Sequence, residues 1–244
     1  MQKAHLTPLW SVGAGVIGLV AVDASDALSA AGWGAGLLYL IVSNTLLARG
    51  LRTRGVMRLG AANIVTASRS TLVALVTAIV ATSFTDAISV PLLVVLASVA
   101  LVLDAVDGWV ARRTGTSSEL GARFDMEVDA FLLLALSAFV ASELGWWVLT
   151  IGLLRYAFVA VGRVVPWMRA PLPPRYWRKV VTAVAGIALV IAASGIGSPW
   201  VGLGVTAFAL CLLSESFGRD VVWLVRHRGG AAGAPGGLAP DTAS

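Results

Sequence analysis

Eight apolar segments, each separated from the next by a short polar junction, restrict the fold of this chain more than any other feature. Only 13% of its 244 residues are charged, about half the share found in soluble domains. Several segments fall short of the ~20 residues that a spanning helix usually needs, but flanking residues can extend them. No sustained alternation of apolar and polar residues, the pattern of a strand, is present. The sequence therefore predicts an all-α, polytopic membrane bundle of about eight transmembrane helices. The segments cover residues 9–22, 33–48, 64–83, 90–110, 130–142, 146–162, 180–194 and 199–225.

Basic residues concentrate in every second junction between these segments. The junctions without Lys or Arg are 23–32, 84–89, 141–147 and 195–199. The basic junctions are 49–58, 111–113, 163–179 and 226–228. Because cytoplasmic loops of membrane proteins carry an excess of Lys and Arg, this alternation predicts a multi-pass protein of the cell membrane with both termini in the cytoplasm.

The basic stretch at 49–58 also suggests how the chain is divided. We expect residues 1–50 to form an N-terminal transmembrane helix pair and residues 51–228 to form a six-helix core. The stretch itself has the composition of an amphipathic segment lying on the membrane surface. Residues 229–244 are rich in Gly, Ala and Pro and are predicted to be a disordered tail. The first apolar segment also has features of a cleaved signal peptide, and that alternative stays open.

Four aspartates lie close together in the segment LDAVDGWVARRTGTSSELGARFDMEVDA, residues 103–130. Asp104 and Asp107 are three residues apart, which places them on one face of a helix. Asp125 and Asp129 are four residues apart and share a face of the next helix. A short polar segment joins the two helices, so we predict that they are antiparallel neighbours whose acidic faces meet near the cytoplasmic surface.

Four carboxylates on facing helices repel one another unless a positive charge compensates them. Divalent cations such as Mg²⁺, Mn²⁺ or Ca²⁺ prefer hard oxygen ligands of this kind. An isolated charge inside a membrane costs at least ~2.5 kcal/mol, so charged residues there usually mark a functional site. Small residues at Gly108, Ala111 and Gly121 leave room for a ligand, and Arg112 is placed to meet a phosphate. The simpler alternative is that the aspartates are solvated helix ends.

The segment reads D-x2-D-G-x2-A-R-x8-G-x3-D-x3-D from Asp104 to Asp129, which resembles the signature of the CDP-alcohol phosphatidyltransferase family. The resemblance implies an enzyme of phospholipid biosynthesis that moves a phosphatidyl or other CDP-activated group to a hydroxyl acceptor and releases CMP. The expected donor is CDP-diacylglycerol. The resemblance further implies Mg²⁺ or Mn²⁺ as cofactor and Asp129 as the base that takes the acceptor proton. The residues that it assigns to the metal are Asp104, Asp107, Asp125 and Asp129. Those that it assigns to the nucleotide are Gly108, Ala111, Arg112 and Gly121.

A second segment, N-I-V-T-A-S-R at 63–69, resembles the N-x2-T-x2-R of the first core helix of the family. The resemblance adds Asn63 and Thr66 to the nucleotide site. Arg69 is grouped with the residues expected to bind the acceptor. Helix capping by Asn63 and a membrane-surface position for Arg69 are the alternative.

Further basic residues are candidates for binding a phosphorylated acceptor: Arg155, Arg163 and Lys179. Arg155 lies in the middle of an apolar segment and is expected to point into the bundle. An ion pair with Glu127 or Glu215 would explain it equally well. Lys179 with Thr182 resembles the K-x2-T of family members that use phosphorylated acceptors, although anionic lipid headgroups would also attract these residues. Glu215 and Arg219 are spaced to pair with each other.

Two other classes of protein remain as alternatives: a non-enzymatic cation-binding transporter, and an intramembrane prenyltransferase with Asp-rich helices. The expected partners are the CDP-activated donor, a hydroxyl acceptor and membrane lipids, with no nucleic acid. Homodimers are common in the family. The sequence does not name the acceptor.

Overall fold

The computed structural model describes residues 7–54, 61–114, 119–170, 172 and 176–227, and within them the chain is helical and contains no strand. These residues form eight α-helices, as expected, while the count of about eight transmembrane helices stays a prediction. The helices are α1 (Thr7–Ser25), α2 (Ala30–Arg54), α3 (Ala61–Thr82), α4 (Val90–Thr114), α5 (Glu119–Leu144), α6 (Leu149–Val164), α7 (Tyr176–Ser194) and α8 (Pro199–His227). Short 3₁₀ turns at Trp146–Val148 and Pro166–Arg169 flank α6.

Four helical stretches in the described residues are long and apolar enough to cross a membrane. They are Ala30–Arg49, Trp146–Val164, Tyr176–Ser194 and Pro199–His227. Large apolar side chains also point outward, for example Ile17, Leu38 and Phe208, which are 60–72% exposed. In water such surfaces would be unstable, whereas in a bilayer they face lipid. The architecture is therefore that of a polytopic helical membrane bundle.

Helix α3 lies at the centre of this bundle and packs against α1, α2, α4 and α5. Its middle is enclosed on all sides: Val73, Ala74, Val76, Ala78 and Ile79 are fully buried. A helical stretch that is apolar all round belongs in a core, and residues 72–81 of α3 have this character apart from Thr77. A polar side chain on α3 can therefore reach functional groups on several neighbouring helices.

Helices α4 and α5 do not pack extensively on each other within the described residues, which differs from the predicted antiparallel pair. Both pack instead on α3 and α7. A short connection brings two helices close only near their junction, and the apolar faces of both helices are covered by α3 and α7. The acidic faces of the two helices meet across the end of α3.

The N-terminal helix pair is joined to the rest of the bundle by hydrogen bonds as well as by packing. The Asp26 carboxylate accepts a hydrogen bond from the backbone N–H of Ser89, at 2.7 Å, where α4 begins. The Thr82 hydroxyl at the end of α3 accepts one from the backbone N–H of Ser29, at 3.2 Å. Part of the predicted surface segment at 49–58 is helical, since α2 extends to Arg54. The remainder of that segment and the predicted tail at 229–244 lie outside the described residues.

Candidate active site

Three of the four predicted aspartates come together in the structure. Asp104 on α4 and Asp125 and Asp129 on α5 each offer a carboxylate oxygen, and these oxygens lie within 4.8 Å of one another. Their side chains are 38%, 31% and 24% exposed, so the cluster is partly open on one side. The prediction that the acidic faces of two helices meet is confirmed for these three residues.

The three aspartates meet because they lie at similar depths from the same end of the bundle. Asp104 precedes the end of α4 by ten residues, and Asp129 follows the start of α5 by ten. At 1.5 Å per residue, both lie about 15 Å from the junction between the two helices. Arg69 lies about 12 Å from the start of α3 by the same measure. Asp125, six residues into α5, lies about 9 Å from the same junction. Spacing along the chain therefore brings the four charged groups to depths within about 6 Å of one another.

Arg69 occupies the centre of this cluster and is only 1% exposed. Its Nη1 atom lies 3.0 Å from Asp104 Oδ1 and also pairs with Asp125, while its Nη2 atom pairs with Asp129. The planar guanidinium has five donors in a fixed fork, which allows one side chain to bind three carboxylates. The alternative of Arg69 at the membrane surface does not fit this position.

The cluster retains negative charge after Arg69 is counted. With all three carboxylates ionised, the cluster and Arg69 together would carry about two negative charges, which one divalent cation would balance. Mg²⁺ binds oxygen at 2.0–2.1 Å, so oxygens on opposite sides of the ion would be about 4.2 Å apart. The oxygens in the structure are within 4.8 Å of one another, so their spacing suits one ion, which would bind on the open side of the cluster, away from the Arg69 guanidinium. The donor set therefore fits a hard divalent metal.

Several predicted site residues have side chains outside the described part of the structure. They are Asn63, Thr66, Asp107, Gly108, Ala111 and Arg112. Each belongs to a described helix, α3 or α4, but their contacts with a nucleotide or a metal stay predictions. Gly121 is half-buried on α5, one turn before Asp125.

The basic residues predicted to bind the acceptor lie apart from the aspartate cluster, with the exception of Arg69. Arg155 Nη2 on α6 lies 2.5 Å from the Glu127 carboxylate on α5, so the ion pair that the sequence left open is present. Glu127 therefore points to the side of α5 away from Asp125 and Asp129. Arg163 and Lys179 are exposed, at the end of α6 and the start of α7. Binding of an acceptor by these residues stays a prediction.

A polar network between α7 and α8 was missed in part by the sequence reasoning. The predicted pair of Glu215 and Arg219 is confirmed, at 2.9 Å. Glu215 also accepts a hydrogen bond from Trp177, at 3.1 Å. The unpredicted contact joins Arg178 Nε to the buried Asp220 carboxylate, at 2.8 Å. A signal for it was available, since an aspartate within an apolar helix usually has a cationic partner.

Comparison with known proteins identifies one family. The family model described as CDP-alcohol phosphatidyltransferase matches residues 59–214, well over half of the chain. The match begins just before α3 and includes Arg69 and all the aspartates of the cluster. No curated protein and no solved structure matches the chain at a significant level.

Proposed function

The chain belongs to the CDP-alcohol phosphatidyltransferase family, and from this premise we propose that it transfers a phosphatidyl group from CDP-diacylglycerol to a hydroxyl acceptor, with release of CMP. Membership makes it an integral membrane enzyme of the general kind that transfers a phosphoalcohol from a CDP-alcohol. The identity of the donor, a phosphorylated acceptor and a role in phospholipid biosynthesis are the finer parts of the proposal.

The observation that carries the proposal is the convergence of Asp104, Asp125 and Asp129 around Arg69. A CDP-linked donor brings a pyrophosphate, whose negative charges need compensation before an oxygen nucleophile can approach. Asp104, Asp107, Asp125 and Asp129 would hold the Mg²⁺ or Mn²⁺ ion. The bound metal would neutralise the pyrophosphate charge and stabilise the departing CMP.

The residues of the chain would then orient the reactants and move one proton. The acceptor oxygen forms a bond to the phosphorus that carries diacylglycerol. The bond from this phosphorus to the bridging pyrophosphate oxygen breaks, and its electron pair leaves with CMP. Asp129 would take the proton of the acceptor hydroxyl, since it is the most enclosed of the three described carboxylates. Gly108, Ala111, Arg112 and Gly121, with Asn63 and Thr66, would hold the nucleotide.

The acceptor would approach from the end of the bundle where α6 ends and α7 begins. Arg163 and Lys179 are exposed at this end and offer positive charge to a phosphorylated acceptor. Arg155, paired with Glu127, would reach such an acceptor only by exchanging its partner. Anionic lipid headgroups would meet the same charges.

The positive-inside pattern supports a cytoplasmic active site. The cluster lies on the side of the bundle where α3 and α5 begin and α4 ends, and these helix ends adjoin the basic stretches 49–58 and 111–113 in the sequence. Both termini would share this side. The orientation is tested by adding protease to sealed inside-out and right-side-out vesicles that contain the protein with a C-terminal tag. We expect cleavage of the tag only in inside-out vesicles. Cleavage only in right-side-out vesicles would contradict a cytoplasmic C-terminus.

The function itself is tested by incubating the purified protein with labelled CDP-diacylglycerol and Mg²⁺ and measuring CMP. A screen of hydroxyl acceptors, with and without phosphate, would identify the lipid product by mass. We expect CMP release that depends on the acceptor. A protein that binds cations but releases no CMP with any CDP-activated donor would instead favour the transporter alternative.

A further inference from the structure

We propose that Tyr39, on helix α2 and outside the matched residues 59–214, is a positioning residue for the aspartate cluster. It would act on the Arg69–Ser70 segment of α3 and, through Phe131, on α5. Its importance for turnover rests on the proposed function, whereas its effect on the cluster can be measured without any substrate. The N-terminal helix pair would then be part of the active-site scaffold of this chain.

Helix α2 is held against α3 by two glycines that allow a close approach. A Cβ atom on Gly32 would lie 2.2 Å from the Thr82 hydroxyl and 2.7 Å from the Ala78 carbonyl oxygen. A Cβ on Gly36 would lie 3.1 Å from the Ala78 Cβ. Small residues spaced four apart are a common way for membrane helices to pack at short range. The backbone of α2 therefore has little freedom to move relative to α3.

Tyr39 follows Gly36 by three residues and so lies near the same face of α2. Its ring packs against Phe131, with ring centroids 4.7 Å apart and planes tilted by 40°. Phe131 lies two residues beyond Asp129 on α5. The aromatic pair therefore connects α2 to the stretch of α5 that carries the predicted base.

The phenol of Tyr39 lies beside the Ser70 side chain, and Ser70 follows Arg69 on α3. The Ser70 hydroxyl is buried and makes no hydrogen bond of normal geometry to any described residue. A buried hydroxyl without a full partner is costly, and the phenol is the polar group placed to satisfy it. Tyr39 would thereby restrict the movement of Ser70, the residue that follows Arg69 on α3.

Contacts of the same helix pair reach all three helices that build the cluster. Gly32 and Gly36 hold α3, and Asp26 caps the start of α4 through Ser89. Tyr39 meets α5 at Phe131. Because Arg69 must face carboxylates from two helices at once, restraint of all three helices keeps these groups aligned.

The test compares Tyr39→Phe with the wild-type protein and with Tyr176→Phe, all full length in detergent. Tyr39→Phe keeps the ring that packs on Phe131 and removes only the hydroxyl. Tyr176→Phe is the matched control, because that tyrosine is 80% exposed. The melting temperature of each protein is measured as Mg²⁺ is titrated.

Without Mg²⁺ we expect Tyr176→Phe to melt like the wild type and Tyr39→Phe to melt slightly lower, because it leaves the buried Ser70 hydroxyl without the phenol. Tyr39→Phe should need at least about threefold more Mg²⁺ than the wild type to reach half of the full rise, since one net hydrogen bond is worth a factor of this size. Tyr176→Phe should titrate like the wild type. The rate constant kcat for CMP release should fall in Tyr39→Phe while the KM for the donor stays close to wild type.

Three results would overturn the proposal: an unchanged Mg²⁺ titration in Tyr39→Phe, an equal shift in Tyr176→Phe, or a wild-type melting temperature that does not respond to Mg²⁺. Failure of the proposed function would give another result: the melting temperature of the wild type would respond to Mg²⁺, but the protein would release no CMP. The comparison of melting curves would still decide the role of Tyr39.

Discussion

Arg69 on α3 pairs through its Nη2 atom with the Oδ1 atom of Asp129 on α5. The two residues are 60 positions apart in the chain. The arginine is buried, whereas the aspartate keeps a quarter of its side chain exposed. The buried cation therefore lies on the enclosed side of the carboxylate, and the rest of the carboxylate stays open to another ligand.

Replacing Asp129 tests its assignment as the base. We expect Asp129→Asn to reduce kcat for CMP release at least about 100-fold, the usual contribution of a positioned base. The amide still accepts a hydrogen bond from Arg69, so folding and donor binding should change little. Glu143→Gln is the matched control, because Glu143 is exposed near the far end of the same helix. Wild-type turnover in Asp129→Asn would remove the base assignment.

Removing divalent metal tests the purpose of the carboxylates. We expect EDTA to abolish CMP release and added Mg²⁺ or Mn²⁺ to restore it, because three carboxylates and one guanidinium leave a charge suited to a divalent ion. The measurement is the initial rate after chelation and after each ion is returned, with Ca²⁺ as a comparison. Full activity in the absence of metal would show that the cluster serves another purpose.

Substitution of Arg69 should affect stability as well as activity. Arg69→Ala leaves three neighbouring carboxylates without their shared partner, a change that costs about 3 kcal/mol when a buried pair is broken. We expect a clear fall in the melting temperature in detergent. Arg69→Lys should recover part of the loss, since a lysine keeps the charge but lacks the planar fork. Equal melting temperatures for Arg69→Ala and the wild type would contradict the central position of this residue.

A glycine between α5 and α6 provides a prediction about packing alone. A Cβ on Gly152 would lie 2.5 Å from the Leu134 Cα and 2.5 Å from the Ser137 hydroxyl. We expect Gly152→Ala to destabilise the protein by about 1–3 kcal/mol, because the backbone of α5 cannot give way.

The control for this packing test is Gly204→Ala on α8, where no atom lies within 4 Å of the new methyl group. It should be neutral or slightly stabilising, since alanine favours a helix over glycine by about 1 kcal/mol. Thermal unfolding of the two variants side by side is the measurement. Equal effects of the two substitutions would show that α5 and α6 pack less closely than the structure has them.

The sequence by itself determined the helical membrane architecture and which residues are expected to carry the chemistry. Apolar segments of near-spanning length separated by polar junctions leave helices as the favoured solution, because buried backbone groups must be satisfied within each segment. Local spacing also determined which aspartates share a face of one helix, since positions three or four apart in a helix lie on the same side.

Only the tertiary structure decided which helices meet. Local spacing shows which residues share a face of one helix, but not which face of another helix lies opposite. Direct packing of α4 on α5 was therefore a reasonable expectation from their short connection, and the central α3 replaced it. Arg69 could be recognised in its motif, yet its contact with three carboxylates depends on burial between helices distant in sequence. The proximity of Tyr39 to Phe131 has the same origin: it arises from the close approach of α2 to α3, and no local pattern records such an approach.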